Sequence, residues 1–197
     1  MNMEDLVKNS LRMRPDRIMV GEVRGNEAKD LMTAMNIGKY CMGTVHASTA
    51  RETVMRLENE PMNVAGVLIN LIDVIVIMRR YNLEGSIHRA IGEVVETAGM
   101  EREKILFSTL FSYDRTKGDF QESAVSSVYR DRLALVSGRT PKEILEEIKV
   151  RAGILGTLLT KNITDIQEVS EICRRYIKDP QGVFKELKLN RKDLIKG

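Results

Sequence analysis

Tryptophan is absent, and aromatic residues make up only 5% of the 197 positions. A surface that stacks bases needs aromatic side chains interleaved with basic ones. No stretch offers that, so no nucleic-acid partner is expected. Histidine and cysteine occur twice each, with no C-x-x-C, which leaves too few ligands for a zinc-type cluster. Cys41 falls in an apolar strand and Cys173 on an apolar helix face. Both read as packed thiols of a reducing compartment rather than as a disulfide. Long apolar runs are missing too. The most apolar stretch, Val64 to Met78, is broken by Asn70 and Asp73 and falls short of the ~20 residues that cross a bilayer. The polar, mixed-charge start shows no signal-peptide pattern. A soluble chain is expected, touching a membrane only through partners. The net charge of +3 is too small to select a partner.

What is present is a rhythm of strands and helices. Asp5 to Met13 has helical spacing, with Leu6, Asn9, Ser10 and Met13 on one side, and Pro15 stops it. Arg17 to Val23 is a continuous apolar run, the pattern of a parallel strand buried on both faces. Asn26 can cap a helix whose Ala28, Leu31, Met32 and Met35 recur at helical spacing, and Gly38 supplies a left-handed stop. Cys41 to His46 is a second apolar strand. Thr49-Ala-Arg-Glu52 then starts a helix as a capping box. Asn63 is placed to cap another short helix, and Asp73 to Arg80 reads as a third strand. This alternation argues for an α/β fold with a mostly parallel sheet. Ile87 to Ala98 and Ile105 to Tyr113, with a return after Lys117-Gly118-Asp119, fit antiparallel pairing because their connections are short, as the edge of the sheet or a β-ribbon on it.

From about Ser126 the pattern is helical only. Thr140-Pro-Lys-Glu143 is a capping box with proline at the first helical position. The spacing predicts a buried stripe of Ile144, Ile148, Ala152, Leu155 and Leu159. In the next helix it predicts one of Ile166, Val169, Ile172, Cys173 and Tyr176. Asp179-Pro180 opens a last helix carrying Val183, Phe184 and Leu187. The composition divides the chain into residues 1–125, α/β, and residues 126–197, helical.

Chemistry concentrates in Arg14-Pro-Asp-Arg-Ile-Met-Val-Gly-Glu-Val-Arg-Gly25 and Gly43-Thr-Val-His-Ala-Ser48. The first delivers a carboxylate, Glu22, to a strand end, and the second delivers an imidazole, His46. Open α/β sheets bind ligands at such ends. A carboxylate there can hold magnesium through water and polarise an attacking water; a solvated strand-end glutamate fits the same local pattern. Arg24, two residues on, can pair with Glu22 and keep it ionised, or stand as a surface arginine. His46, beside a helix start, can donate to a γ-phosphate oxygen, or serve structure alone. Thr44 shares its face, to orient it or to pack. Arg12, Arg14 and Arg17 suit a phosphate, a neighbouring subunit or a solvated turn. His88 has no acidic or cysteine partner at motif spacing and reads as structural. No G-x-x-x-x-G-K-[ST] phosphate loop occurs in the 197 residues.

In these residues the sequence resembles the secretion and assembly ATPases of type II secretion, type IV pili, tight adherence and the archaellum. Met13 to Arg24 is similar to that family's atypical Walker B segment, and Gly43-Thr-Val-His-Ala47 to its histidine box. The run Arg56-Leu-Glu-Asn59 matches as well, and the helical tail is similar to archaeal members. Ile37 and Lys39 stand where the family often has threonine and histidine. The resemblance implies that residues 1–125 are the C-terminal part of a RecA-like ATPase domain. It implies ATP and magnesium as cofactors, with catalytic roles for Glu22, Arg24 and His46. Glu22, His46 and Thr44 would make the cofactor contacts, and Glu22 would hold the metal through water. It also implies a homo-hexamer at the cytoplasmic face of a membrane platform, driving filament assembly or secretion. The family's phosphate loop and acidic box precede the Walker B segment, so the chain by itself is expected to be inactive. A non-catalytic adaptor on a motor ring or membrane platform is the alternative.

Overall fold

The computed structural model describes residues 2–83, 85–114, 116–124 and 126–196. The chain begins with a reciprocal cap. The Asn2 side chain accepts the Asp5 N–H, and the Asp5 carboxylate accepts the Asn2 N–H, starting α1 (Met3–Arg12). Val7 is the buried residue of α1, whereas Leu6 and Met13 are exposed. The inward face is therefore one position round from the expected one.

β1 (Arg17–Val20) and β2 (Tyr40–Gly43) pair in parallel, with α2 (Glu27–Asn36) between them in sequence. A parallel pair needs such a crossover. Ile18 and Val20 join a core with Val7, Leu31 and Met32, together with Leu57 of α3 (Ala50–Glu58) and Ile69 of α4 (Gly66–Ile69). The expected burial of the first strand on both faces does not hold. Side chains alternate across a strand, and the core covers one side only. Met19, Tyr40 and Met42 are left 68%, 75% and 64% exposed. Asn63 does not cap α4; it takes a left-handed φ of 45°, and Ala65 holds the cap position.

β3 (Val74–Leu83), β4 (Ser86–Glu101), β5 (Lys104–Asp114) and β6 (Asp119–Glu122) form a separate antiparallel sheet in that order. The third strand, expected beside the parallel pair, is turned into this sheet because so few residues separate it from β4 that no crossover fits. The fold is α/β, and most of its strand pairing is antiparallel. Ile75, Ile77 and Val95 pack with Ala50 of α3 beneath it.

One buried carboxylate ends this region. Glu96 of β4, 1% exposed, accepts hydrogen bonds from the Ser127 hydroxyl (2.7 Å) and from the N–H groups of Val128 and Tyr129 (3.0 and 3.1 Å). Val128 and Tyr129 open α5 (Val128–Ser137), so the carboxylate satisfies helix-start donors that the helix itself cannot.

The chain divides into two compact units, Met1–Tyr129 and Arg130–Gly197. Val125, where the sequence reading places its boundary, lies outside the described residues. The second unit packs α6 (Pro141–Thr160), α7 (Ile166–Lys178), α8 (Pro180–Leu187) and α9 (Arg191–Lys196). The Thr140–Glu143 capping box forms as expected. Its core is Val150, Ile154, Leu158, Ile172, Tyr176, Val183, Phe184 and Leu187. The stripe expected for α6 is corrected. Ile144 is buried, but Ile148, Leu155 and Leu159 are 45%, 46% and 70% exposed, and Ala152 is exposed as well. Helix α6 is apolar on two sides, and periodicity cannot choose between them. In α7, Ile166 and Cys173 likewise face outward. Cys173 is therefore not a packed thiol, whereas Cys41 is half-buried against the first core.

Two stability measurements check this packing by urea denaturation of the chain. Ile154→Ala costs about 3 kcal/mol, while Leu155→Ala stays within about 0.5 kcal/mol. Equal losses would mean that both faces of α6 are buried. Glu96→Ala leaves three donors at the start of α5 without their acceptor and costs about 3 kcal/mol. A loss under about 0.5 kcal/mol would mean that water replaces the carboxylate there.

Candidate functional site

The site is built at the C-terminal ends of the two parallel strands. Register places Val20 opposite Gly43. The pairing runs on past the strands, because the Val23 N–H donates to the Thr44 carbonyl at 2.9 Å and the Thr44 hydroxyl donates to the Gly21 carbonyl at 2.7 Å. Gly43 permits this closeness: a Cβ there would lie 3.0 Å from Val23 Cγ2 and 3.3 Å from Leu31 Cδ2. The two loops leave the sheet side by side and carry Glu22 and His46 together.

Glu22 draws two other expected residues into one cluster. Arg24 Nη2 lies 2.6 Å from its Oε2, and His46 Nε2 lies 2.8 Å from its Oε1. The Arg24 hydrogen bond holds the Glu22 carboxyl below the ordinary carboxylate range. Desolvation opposes this, and the charges of Arg24 and His46 add to it. Oε1 is shielded from solvent, and the His46 imidazole is the group that lies against it.

These groups border a cavity of about 430 Å³, whose far wall is α3 and the turn after it, with Met55, Arg56, Asn59 and Met62. Glu52 also lines it. Thr49 caps α3 by accepting the Glu52 N–H. The Glu52 carboxylate accepts the Ser48 N–H at 2.7 Å and the Arg56 Nε–H at 3.2 Å. Those bonds, that from Ser48 first, hold it below its ordinary range. Thr44 is not among the residues that line the cavity; its hydroxyl proton is committed to Gly21. Arg12, Arg14 and Arg17 do not line it either. Arg17 instead lies 5.9 Å from the centre of the Tyr40 ring. His88 is exposed on β4 opposite Tyr81.

Sequence reasoning missed Glu27, and it read Glu52 only as part of a capping box and Arg56 only as part of a matching run, with no place for either at the site. Glu27 is 8% exposed, and its Oε1 accepts the N–H groups of Arg24 and Gly25. The Glu52–Arg56 spacing of four on one helix was the available signal for that pair.

Among the described residues no group of three or more histidine, cysteine, aspartate or glutamate side chains is placed to hold a metal ion. A lone carboxylate suits magnesium, which keeps most of its waters and takes one or two carboxylates beside substrate phosphates. Glu22, ionised at the strand ends and bordering the cavity, fits that role.

The family model described as "Type II/IV secretion system protein" matches residues 1–98. A protein of Methanocaldococcus jannaschii, named as uncharacterised, is 32% identical over 173 residues, 87% of this chain and 64% of its own length. The conjugal transfer protein TrbB of Rhizobium radiobacter is 45% identical over 58 residues, 29% of this chain and 18% of its own. The type IV pilus ATPase PilU of Pseudomonas aeruginosa is 42% identical over 55 residues, 27% of this chain and 14% of its own. The chain spans less than two thirds of the length of each of these relatives. The matched stretch, residues 1–98, is the one that carries Glu22, Arg24 and His46, and it is similar to the type II/IV secretion system protein family.

Proposed function

We propose that the chain carries the acidic and imidazole side of an ATP-hydrolysing site in a secretion or filament-assembly motor. The observation that supports this most is the cluster of Glu22, Arg24 and His46 at the ends of two parallel strands, bordering one cavity. Glu22, ionised beside Arg24, would hold magnesium through water and orient the attacking water. His46 donates to an oxygen of the γ-phosphate. Thr44 acts through the backbone, fixing the spacing of the two loops. Bound magnesium would supply charge neutralisation between the phosphates and Glu22.

Affinity for a triphosphate comes mostly from phosphate-loop amides and their lysine, and no such loop occurs in the 197 residues. The phosphate contacts are therefore supplied by another segment or subunit. In the intact assembly the partners are further copies in a homo-hexamer and a membrane platform protein, at the cytoplasmic face. Among the described residues no helix is long and apolar enough to cross a membrane. A second reading, a non-catalytic module that docks on a motor ring or platform, is favoured by the outward apolar residues of α6.

Titration of a fluorescent ATP analogue with magnesium into the purified chain, read by anisotropy, tests the proposal. Expected is weak binding, with Kd of about 1 mM or above, lowered further in His46→Ala and Glu22→Gln, and no turnover. Turnover lost in Glu22→Gln would overturn the half-site reading. Binding indifferent to both substitutions would overturn the site.

A further inference from the structure

We propose that Glu27 is a positioning residue whose buried carboxylate fixes the Arg24–Gly25 corner and so holds the Arg24 guanidinium against Glu22. The inference rests on the reading of Glu22 as the acidic group of the site, and it names what keeps that group aimed.

Arg24 has little else to hold it. Its side chain is 73% exposed, and its one described ion-pair partner is Glu22. A long exposed side chain loses rotamer freedom on pairing, and for that reason exposed ion pairs are usually loose. The backbone beneath it is the opposite. Three successive N–H groups are committed: Val23 to the Thr44 carbonyl at 2.9 Å, and Arg24 and Gly25 to Glu27 Oε1 at 2.7 and 2.9 Å. Two adjacent amides aimed at one oxygen make an anion-binding concavity, and here the chain fills it with its own carboxylate. Hydrogen bonds to an ionised acceptor are about twice as strong as neutral ones.

The ionisation of Glu27 agrees with that geometry. Desolvation, the largest effect on it, raises its carboxyl. The backbone bonds from Arg24, Gly25 and Glu27 itself outweigh it, so the group stays below the ordinary range. Glu27 is also the first residue of α2, where a negative charge meets the helix dipole favourably. One carboxylate thus starts the crossover helix and sets the corner that carries Arg24. Gly25 fits closely beside it: a Cβ there would lie 3.1 Å from Glu27 Oε2, so a side chain at that position would crowd the carboxylate by a few tenths of an ångström.

Amide hydrogen exchange and arginine Nε–H resonances, followed by NMR on the full chain without nucleotide, test the inference. In Glu27→Ala, exchange at Arg24 and Gly25 rises by at least about tenfold, while Ile18 and Leu31 stay within about threefold. The Arg24 Nε–H signal moves to the position of a free arginine. Glu27→Gln, whose single amide oxygen can accept both N–H groups, keeps most of the protection and the native Arg24 signal. If Glu27→Ala does not fold, Glu27→Asp, whose carboxylate is one methylene too short to reach both N–H groups, takes its place with the same expected changes. Unchanged Arg24 and Gly25 amides, or a native Arg24 signal in a variant that has lost them, would overturn the proposal. A merely structural role would lower stability without moving the Arg24 signal. Because nucleotide is absent, failure here leaves the nucleotide titration untouched, and failure of that titration leaves the positioning role standing.

Discussion

The candidate site depends on the register of one short parallel ladder. Four residue pairs, ending with Val20 opposite Gly43, fix how far each strand reaches, and the bonds from Val23 and Thr44 carry that alignment into the loops. A slip by one residue would turn Ile18 and Val20 out of the core and separate Glu22 from His46. The hydrophobic pattern that stabilises the fold is thus the same pattern that brings a carboxylate and an imidazole within contact. The close seat of Gly43 against Val23 and Leu31 ties the second strand to α2 and leaves little room for a different alignment.

Around that ladder, carboxylates recur as backbone caps. Asp5, Glu27, Glu52, Glu96 and Glu143 each accept main-chain N–H groups at a helix start or the turn before it. Four of them use residues close in sequence. Glu96 reaches more than thirty residues along the chain, from the middle of an antiparallel strand to the start of α5. It ties a strand to a helix start through three hydrogen bonds.

The local motifs were legible because short-range rules govern them. The capping residues Thr49 and Thr140, and Pro141, act within a few residues, and the structure places them as read. Val183, Phe184 and Leu187 also turn inward as read. Harder were questions of which partner a surface meets. Ile148 and Leu155 satisfy helical spacing as well as Val150 and Ile154 do, and only the packing of the other helices decides between them. The third strand reads as parallel until its turn into β4 is seen. Glu27 was hidden because an acidic residue in a first helical turn is ordinary; its burial and its aim at Arg24 and Gly25 are tertiary facts.

The Arg24–Glu22 pair and the Glu27 seat differ in how they meet dissolved ions. The first lies in the open, where mobile salt within a Debye length of about 8 Å at physiological ionic strength weakens it. The second is enclosed, and its bonds run to neutral amides that salt screens far less. Rising ionic strength therefore loosens the charge on Glu22 while the corner that carries Arg24 keeps its shape. The site's electrostatics are adjustable by the medium, and its geometry is not.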